Sequence, residues 1–354
     1  MACLLALDQG TTSSRAIVFD AEGGIRAVAQ KELRQLYPQP GWVEHDPVEI
    51  WRDQLDVARQ ALRQSGLGAS DIAAIGIANQ RETVVLWERT TGRPLHNALV
   101  WQDRRTADAC ERLKASGAEA LVQQKAGLVL DPYFSGTKLA WLLDHVSGAR
   151  DRARRGELAF GTIDSWLIWN LTGGAAHVTD HSNAAVTLLL NANSLTYDDD
   201  LLSALGIPRD ILPELRQSSE VYATTDPEAF FGVRVPIAGA AGDQQIAALG
   251  QACLKAGTAK NTYSSGSFMN LNTGVRYLPP ANGLFSPVLW TIGENVVYGL
   301  EGKADVAGDA LHWLRDGLGI IRELSEVEGL ASQVSDTQGV YFVPPLGGPD
   351  VVHG

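Results

Sequence analysis

The chain has 354 residues, of which 45% are hydrophobic and 20% are charged, and its formal net charge is −12. This composition is typical of a globular protein with room for two domains and a large core. The negative charge argues against nucleic acid as a main partner, because no basic face is available to neutralise its phosphates.

The first residues predict a β-hairpin with a polar turn. Residues 4–7 and 15–19 are short apolar runs typical of strands, and residues 8–14 between them are small or polar. Such a turn offers backbone N–H groups and hydroxyls, which suit a phosphate tail. Asp8, at its mouth, is placed to hold a magnesium ion that bridges phosphates. Taken alone, the segment fits a merely solvated hairpin turn as well.

Strands and helices alternate over the following part of the chain. We expect strands at residues 25–33, 72–78, 84–87, 98–101 and 235–240. We expect helices at residues 47–65, 106–146 (interrupted at 127–136), 162–171, 198–205, 209–215 and 241–250. The charged run 150–155 is expected to be a solvated turn.

The pattern of the N-terminus returns at residues 258–271, where a small polar turn again separates two predicted strands, 258–263 and 268–271. Two such hairpins predict an α/β fold with two similar domains facing each other across a cleft, 1–251 and 252–354. The remaining predictions are a hairpin at 288–292 and 296–300, helices at 304–314 and 320–333, and a strand at 340–343.

Three polar clusters follow apolar strands, where α/β sheets commonly bind ligands: the Asp8 turn, Arg81–Glu82 and Asp243–Gln244. Arg81 and Glu82 supply a donor fork and an acceptor pair that match adjacent hydroxyls of a polyol. The alternative is a surface ion pair, worth about 0–1 kcal/mol. Asp243 suits a general base that takes a hydroxyl proton during phosphoryl transfer, but its residue type is also explained by a helix N-cap.

Other residue types give weaker indications. Trp101 and Tyr133 lie beside polar turns, although a lone aromatic residue more often packs in a core. The seven histidines have no metal-ligand spacing, and the three cysteines indicate neither a disulfide framework nor a zinc site. Neither a signal peptide nor a membrane span is expected, so we expect reduced thiols and a cytoplasmic protein.

Seven segments occur in an order that resembles glycerol kinases, which belong to the FGGY family of sugar kinases. The segments are LDQGTTSSR, NQRET, VWQDRR, DPYFSGTKLAW, TIDSWLIWNLTGG, AGDQQ and AKNTYSSGSF. The resemblance runs from Leu4 to about Pro344. It implies an actin-like ATPase (ribonuclease H-like) fold and the transfer of phosphate from ATP to glycerol, with Mg²⁺, giving sn-glycerol 3-phosphate and ADP.

The resemblance also implies roles for individual residues, with Asp243 as the base and Asp8 near the metal. The implied nucleotide contacts are Thr11, Thr12, Ser13, Arg15, Ser265, Gly308 and His312. The implied glycerol contacts are Arg81, Glu82, Trp101, Tyr133, Asp243, Gln244 and Phe268, of which Trp101 and Phe268 form apolar walls. Gly232 and Arg234 resemble a site for the inhibitor fructose 1,6-bisphosphate, and a homo-oligomer is expected.

The sequence departs from the family pattern in its second part. Ser264 replaces a glycine, Lys303 and Asp305 bring charge to an apolar segment, and His312 replaces a glutamine. The likeness stops near Pro344, so we expect an incomplete second domain with weak or absent nucleotide binding. A non-catalytic glycerol-binding remnant and a kinase for another polyol or sugar are the alternative functions.

Overall fold

Two large β-sheets, with helices packed against them, organise the structure, a computed structural model that describes residues 3–264, 266–304 and 306–342. Ser265, Asp305 and the segment beyond Pro344, all singled out above, lie outside the described residues. Within these ranges the strands form one six-stranded sheet, one four-stranded sheet and four two-stranded sheets.

The secondary structure confirms an α/β protein. The strands are β1 (Cys3–Gln9), β2 (Ser13–Phe19), β3 (Ile25–Glu32), β4 (Glu44–His45), β5 (Ile72–Asn79), β6 (Val85–Glu88), β7 (Ala98–Leu99), β8 (Leu158–Gly161), β9 (Val178–Asp180), β10 (Leu190–Asn191), β11 (Thr196–Tyr197), β12 (Glu214–Arg216), β13 (Ala223–Thr224), β14 (Pro236–Gly242), β15 (Ala259–Tyr263), β16 (Ser267–Gly274), β17 (Val288–Ile292) and β18 (Asn295–Ala304). The α-helices are α1 (Pro47–Ser65), α2 (Ala107–Ala115), α3 (Ala118–Ala126), α4 (Ser135–His145), α5 (Ala149–Arg154), α6 (Ile163–Leu171), α7 (His181–Ala184), α8 (Asp199–Leu205), α9 (Asp243–Gly250), α10 (Gly308–Asp316) and α11 (Glu326–Ala331).

The six-stranded sheet has the order β13-β14-β5-β1-β2-β3. The central strand β5 runs parallel to both β1 and β14, whereas β2, β3 and β13 are antiparallel to their neighbours. Alternate residues of β1 and β2 are buried, as expected for strands with one face on a core. Because the three central strands are parallel, their carboxyl ends lie at the same edge of the sheet.

Helix α1 covers β2 and β3 and has well-formed ends. The Asp46 side chain accepts a hydrogen bond from the N–H of Val48, and Pro47 occupies the first turn. Gly66, with φ of 73°, caps the other end in the left-handed conformation that glycine adopts most readily. These features explain why the predicted helix over residues 47–65 is confirmed at both ends.

The four-stranded sheet is antiparallel, in the order β15-β16-β18-β17, and contains the predicted second hairpin. It joins the first part of the chain through paired backbone groups, because Ser218 N–H donates to the carbonyl of Thr291 at 2.9 Å. Gln217 and Gly293 exchange two further hydrogen bonds. Because the carbonyl of Ser218 also accepts a hydrogen bond from the N–H of Ala240 in β14, this segment links the two large sheets.

Two predictions for the middle of the chain were wrong. The charged run 150–155 forms helix α5, because Ala149 and Ala153, four residues apart, are both buried and give the segment an apolar face. The helix predicted at 209–215 is a 3₁₀ turn followed by β12, which pairs with β9.

The end of the described chain also differs from expectation. Helix α11 forms only a short part of the predicted 320–333 helix, and residues 340–342 are not a strand. Among all the helices described, none has the length and apolar character needed to cross a membrane.

Gly161, at the end of β8, tests the packing of this core. A Cβ atom there would overlap the Ser165 side chain and lie 2.9 Å from the Trp87 ring. We expect Gly161→Ala to lower the free energy of unfolding by about 1–3 kcal/mol, as overpacked cores do. Gly76→Ala, in β5 with open space around the added methyl, is the matched control and should change stability little. Urea denaturation measures both, and equal midpoints for the two variants would contradict the packing.

Candidate functional site

Three strand ends meet at one edge of the six-stranded sheet. In the strand register, Gln9 of β1 and Gly242 of β14 both lie opposite Asn79 of β5. The polar turn follows Gln9, with Asp8 just before it; Arg81 and Glu82 lie shortly after Asn79, and Asp243 and Gln244 follow Gly242 directly. These are the three polar clusters singled out in the sequence. The structure therefore brings the predicted clusters together.

Arg81 is the buried centre of the site. Its two terminal nitrogens donate to the two carboxylate oxygens of Glu301, each at 2.7 Å, and one of them also donates to the Tyr133 hydroxyl at 3.1 Å. Asn270 donates to the same carboxylate at 2.7 Å. Although burial acts to raise the pKa of Glu301, Arg81 and Asn270 hold it below its usual value. Glu301 is thus a charged anchor for Arg81.

Glu82 adopts a strained backbone with φ of 60°, and Ser135 donates a hydrogen bond to its carbonyl at 2.9 Å. Its carboxylate is buried and lies 3.7 Å from the Arg81 Nε, and one carboxylate oxygen has no hydrogen-bond donor among the described residues. Burial raises the pKa of Glu82 to about 8, against the effect of Arg81. Strain and an unpaired buried acceptor cluster at ligand sites, so Glu82 fits a hydroxyl donor.

Asp243 is the first residue of α9, and Gly242 rather than Asp243 occupies the N-cap. Its carboxylate lies 3.5 Å from the Arg81 Nε and remains 36% exposed. Burial raises the pKa of Asp243, with Arg81 opposing the shift. Gly242 is required here, since a Cβ would lie 2.7 Å from both the Arg81 Cδ and the Gln245 Oε1.

Gln244 is held by a buried lysine of the four-stranded sheet. Lys260 donates to the Gln244 amide oxygen and, at 2.8 Å, to the Thr262 hydroxyl. Burial lowers the pKa of Lys260 to about 8, although Glu301 favours its charged form. This contact fixes the amide of Gln244 at the cavity described below.

Three aromatic side chains form one wall. Trp101 packs edge-to-face against Tyr133 and Phe268, with ring centroids 5.6 and 6.0 Å apart. The Trp101 indole N–H donates to the Thr11 hydroxyl at 2.8 Å, which joins the wall to the polar turn. The ammonium of Lys303 lies 4.4 Å from the centre of the Tyr133 ring.

The polar turn is confined to residues 10–12, between β1 and β2. Thr12 is exposed, and the Gln35 side chain donates to the carbonyl of Thr11 at 2.9 Å. Asp8 lies 3.5 Å from Arg15; burial raises the pKa of Asp8, and Arg15 opposes it. No group of three or more His, Cys, Asp or Glu able to hold a metal occurs in the described part of the chain.

These elements enclose a cavity of about 180 Å³. Its lining combines the turn, the Arg81–Glu82 pair, Asp243–Gln244 and the aromatic wall; the lining residues are Thr11, Thr12, Gln80, Arg81, Glu82, Trp101, Gln102, Tyr133, Asp243, Gln244, Ser264, Gly266 and Phe268. A larger cavity of about 670 Å³ shares Trp101, Gln102 and Tyr133 with it and extends to residues 37–43.

Several predicted residues do not line the small cavity. Gly308 donates its N–H to the carbonyl of Ser264 at 2.8 Å, at the edge of the second hairpin turn. His312 is exposed and contacts Arg315. Ser13 and Arg15 lie on β2 beside the turn, while Gly232 and Arg234 are exposed in the loop before β14.

Sequence reasoning assigned no role to Glu301, Lys260 or Lys138, although all three are buried at the site. Lys138 precedes an apolar run and Glu301 follows one, and that placement was the available signal; Lys260 lies in a segment with few apolar residues. A charged residue in an apolar pattern is compatible with both a buried ion pair and a solvent-facing position. Only the structure identifies the group with which such a residue pairs.

Comparison with known proteins agrees with this geometry. The family model of the N-terminal domain of the FGGY family of carbohydrate kinases matches residues 3–250. A glycerol kinase of Trichlorobacter lovleyi is 59% identical over 353 residues, covering 100% of this chain and 71% of that protein. A glycerol kinase of Geobacillus kaustophilus is 56% identical over 345 residues, covering 98% and 70%. The chain thus spans about 70% of the length of these relatives.

Solved structures give the same result for the fold. A glycerol kinase of Plasmodium falciparum with ADP superposes with a TM-score of 0.89 at 32% identity, covering 98% of this chain and 69% of that one. A ligand-bound xylulose kinase of Lactobacillus acidophilus has a TM-score of 0.85 at 22% identity, covering 98% and 69%, which supports the fold alone.

The pKa of Glu82 predicts an unusual pH dependence of stability. The folded protein keeps this carboxyl protonated up to pH of about 8, whereas the unfolded chain releases the proton near the ordinary value of 4.5. Stability due to this group therefore falls as pH rises between those values, by at most about 1.4 kcal/mol per unit. We expect Glu82→Gln to be more stable than wild type at pH 8 and to lose that advantage towards pH 5.

Urea unfolding of wild type and variant at pH 5 and pH 8 measures this difference. Glu22→Gln, which alters an exposed carboxyl in the turn between β2 and β3, is the matched control. If the free energies of unfolding of E82Q and wild type differ by the same amount at both pH values, the pKa of Glu82 is not raised.

Proposed function

The chain belongs to the FGGY family of carbohydrate kinases, and we propose that its small cavity binds glycerol and that one glycerol hydroxyl receives the γ-phosphoryl group of ATP. The products are sn-glycerol 3-phosphate and ADP. The observation that carries the proposal is that Arg81, Glu82, Tyr133 and Asp243 line one cavity together with Thr11 of the polar turn. Similarity over the whole chain to glycerol kinases supports the same activity.

Glycerol is held by complementary polar groups and apolar walls. The Arg81 guanidinium and the unpaired oxygen of Glu82 bind two neighbouring hydroxyls, with Gln244 beside them. The rings of Trp101 and Phe268 cover the carbon chain. The third hydroxyl is left facing Asp243, and most of the rate enhancement comes from this positioning and from charge neutralisation.

Asp243 acts as the general base. Its carboxylate takes the hydroxyl proton while the hydroxyl oxygen bonds to the γ-phosphorus and the bond from phosphorus to the ADP oxygen breaks. Its raised pKa brings it closer to neutral pH, where proton acceptance is more effective. Arg81, 3.5 Å away, keeps the carboxylate ionised before the transfer.

The polar turn receives the phosphates of ATP. Thr11, Thr12 and Ser13 supply hydroxyl and backbone donors, and Arg15 supplies positive charge. Asp8 and Asp243 are close enough for the charge of Asp8 to add to the effect of burial in raising the pKa of Asp243. Asp8 fits a Mg²⁺ ion, because this ion commonly uses one or two carboxylates plus phosphates and water. The metal would neutralise phosphate charge. Ser265, Gly308 and His312 remain proposed nucleotide contacts.

Three further proposals follow from the family. We place the domain boundary at residue 251, which is supported by the separation of the six-stranded and four-stranded sheets on either side of it. Gly232 and Arg234 lie exposed in one loop, where an anion such as fructose 1,6-bisphosphate has access. We propose a homo-oligomer by analogy with the family alone.

Asp243→Asn tests the general base. We expect the rate of glycerol-dependent ADP formation to fall about 10²–10⁴-fold, because the amide cannot accept the hydroxyl proton. The glycerol dissociation constant, measured by calorimetry, should change far less. Asp199→Asn, at an 86% exposed side chain, should leave both quantities unchanged. Wild-type turnover by D243N would remove Asp243 from this role.

The size of the cavity predicts selectivity for glycerol over larger sugars. A pentulose adds two carbons that have to extend past the Trp101 and Phe268 rings, and one methylene that does not fit is worth roughly 10-fold or more in selectivity. We expect calorimetry to give at least about ten times tighter binding of glycerol than of a pentulose. The reverse order would favour a kinase for another sugar.

A further inference from the structure

Lys138 is fully buried and makes an uncommon set of contacts. Its ammonium donates to the carbonyl oxygens of three consecutive residues: Pro132 at 2.7 Å, Tyr133 at 2.6 Å and Phe134 at 3.0 Å. A lysine ammonium has three protons, and each has an acceptor in this one short stretch. All three hydrogen bonds of the Lys138 ammonium therefore go to residues 132–134.

The position is an unfavourable one for a cation. Lys138 lies in the first turn of α4, where the helix dipole favours negative charge, and it has no exposed surface. Burial lowers the pKa of Lys138 to about 8, while Glu82, Asp103 and Asp131 favour its charged form. A leucine or methionine would fill the same volume without these costs, so the charge serves the carbonyl groups that it binds.

The stretch that Lys138 holds carries two contacts to the proposed glycerol site. The Tyr133 hydroxyl accepts the hydrogen bond from Arg81, and the Tyr133 ring packs against Trp101. Ser135, the next residue after the held carbonyls, donates to the carbonyl of Glu82 and so supports its strained backbone. Displacement of this stretch would move one wall of the cavity and loosen Glu82.

We propose that Lys138 is a positioning residue for glycerol binding, which acts by fixing residues 132–135 so that Tyr133 and Glu82 face the substrate. This inference rests on the proposed function, because it concerns the glycerol affinity of that same cavity. Lys138 itself lies behind the cavity wall and does not line the cavity.

A double-mutant cycle tests the proposal on the full chain, with glycerol affinity measured by calorimetry. We expect Lys138→Met to weaken glycerol binding about tenfold or more. A Tyr133→Phe background already lacks the hydroxyl that accepts from Arg81. There Lys138→Met should weaken glycerol binding at most about a third as much as it does with Tyr133 present, because the effects of coupled residues are not additive.

Two further variants separate positioning from simple loss of stability. Leu139→Ala changes the next residue of α4, which is equally buried, and should lower the unfolding midpoint while leaving glycerol affinity unchanged. Lys138→Gln retains two N–H donors and should bind glycerol more tightly than K138M. It also replaces K138M in the cycle if K138M does not fold.

The outcomes distinguish this inference from the proposed function. Wild-type affinity in the Lys138 variants, or an equal loss in both Tyr133 backgrounds, would overturn the positioning role alone. A similar loss of affinity in L139A would do the same, because any weakening of α4 would then suffice. Absence of glycerol binding by the wild-type chain would overturn both the inference and the proposed function.

Discussion

The buried ion pair between Arg81 and Glu301 is the interaction on which the rest of the cleft depends. Arg81 follows a strand of the six-stranded sheet, whereas Glu301 lies in the four-stranded sheet, and both side chains are almost fully buried. Removing one partner of such a pair typically costs about 3–5 kcal/mol, because the other charge stays buried without compensation. Correct pairing of the two sheets at this point therefore also fixes Arg81 for its contacts with Tyr133 and Asp243.

Around this pair, the fold fixes six ionisable side chains in advance, some lining the cavity and others behind its wall. Three are basic and three are acidic: Arg81, Lys138, Lys260, Glu82, Glu301 and Asp243. Groups held by the protein need little reorganisation when charge moves during a reaction, and in a partly dry cavity their effect is larger than in water. The raised pKa values of Glu82 and Asp243 are a consequence of the same burial.

Much of this arrangement could be predicted from the sequence, because it depends on local patterns. Polar residues directly after buried strands marked Arg81, Glu82 and Asp243, and the structure brings them to one sheet edge. The sequence did not reveal Glu301 as the partner of Arg81, since the two are 220 residues apart and no local pattern records a long-range ion pair. Helix α5 was missed for a related reason: its charged residues outweigh two buried alanines in the pattern, while packing decides the structure.

The hydrogen bond from the Trp101 indole to the Thr11 hydroxyl has a consequence for the direction of a single proton. A threonine hydroxyl has one proton to give and two lone pairs, and the indole occupies a lone pair of this oxygen. The hydroxyl proton of Thr11 therefore cannot point at the indole and is available to an acceptor on another side of the oxygen. Trp101 and Thr11 line the same cavity, so this aromatic residue turns a neighbouring hydroxyl into a donor that suits an anion.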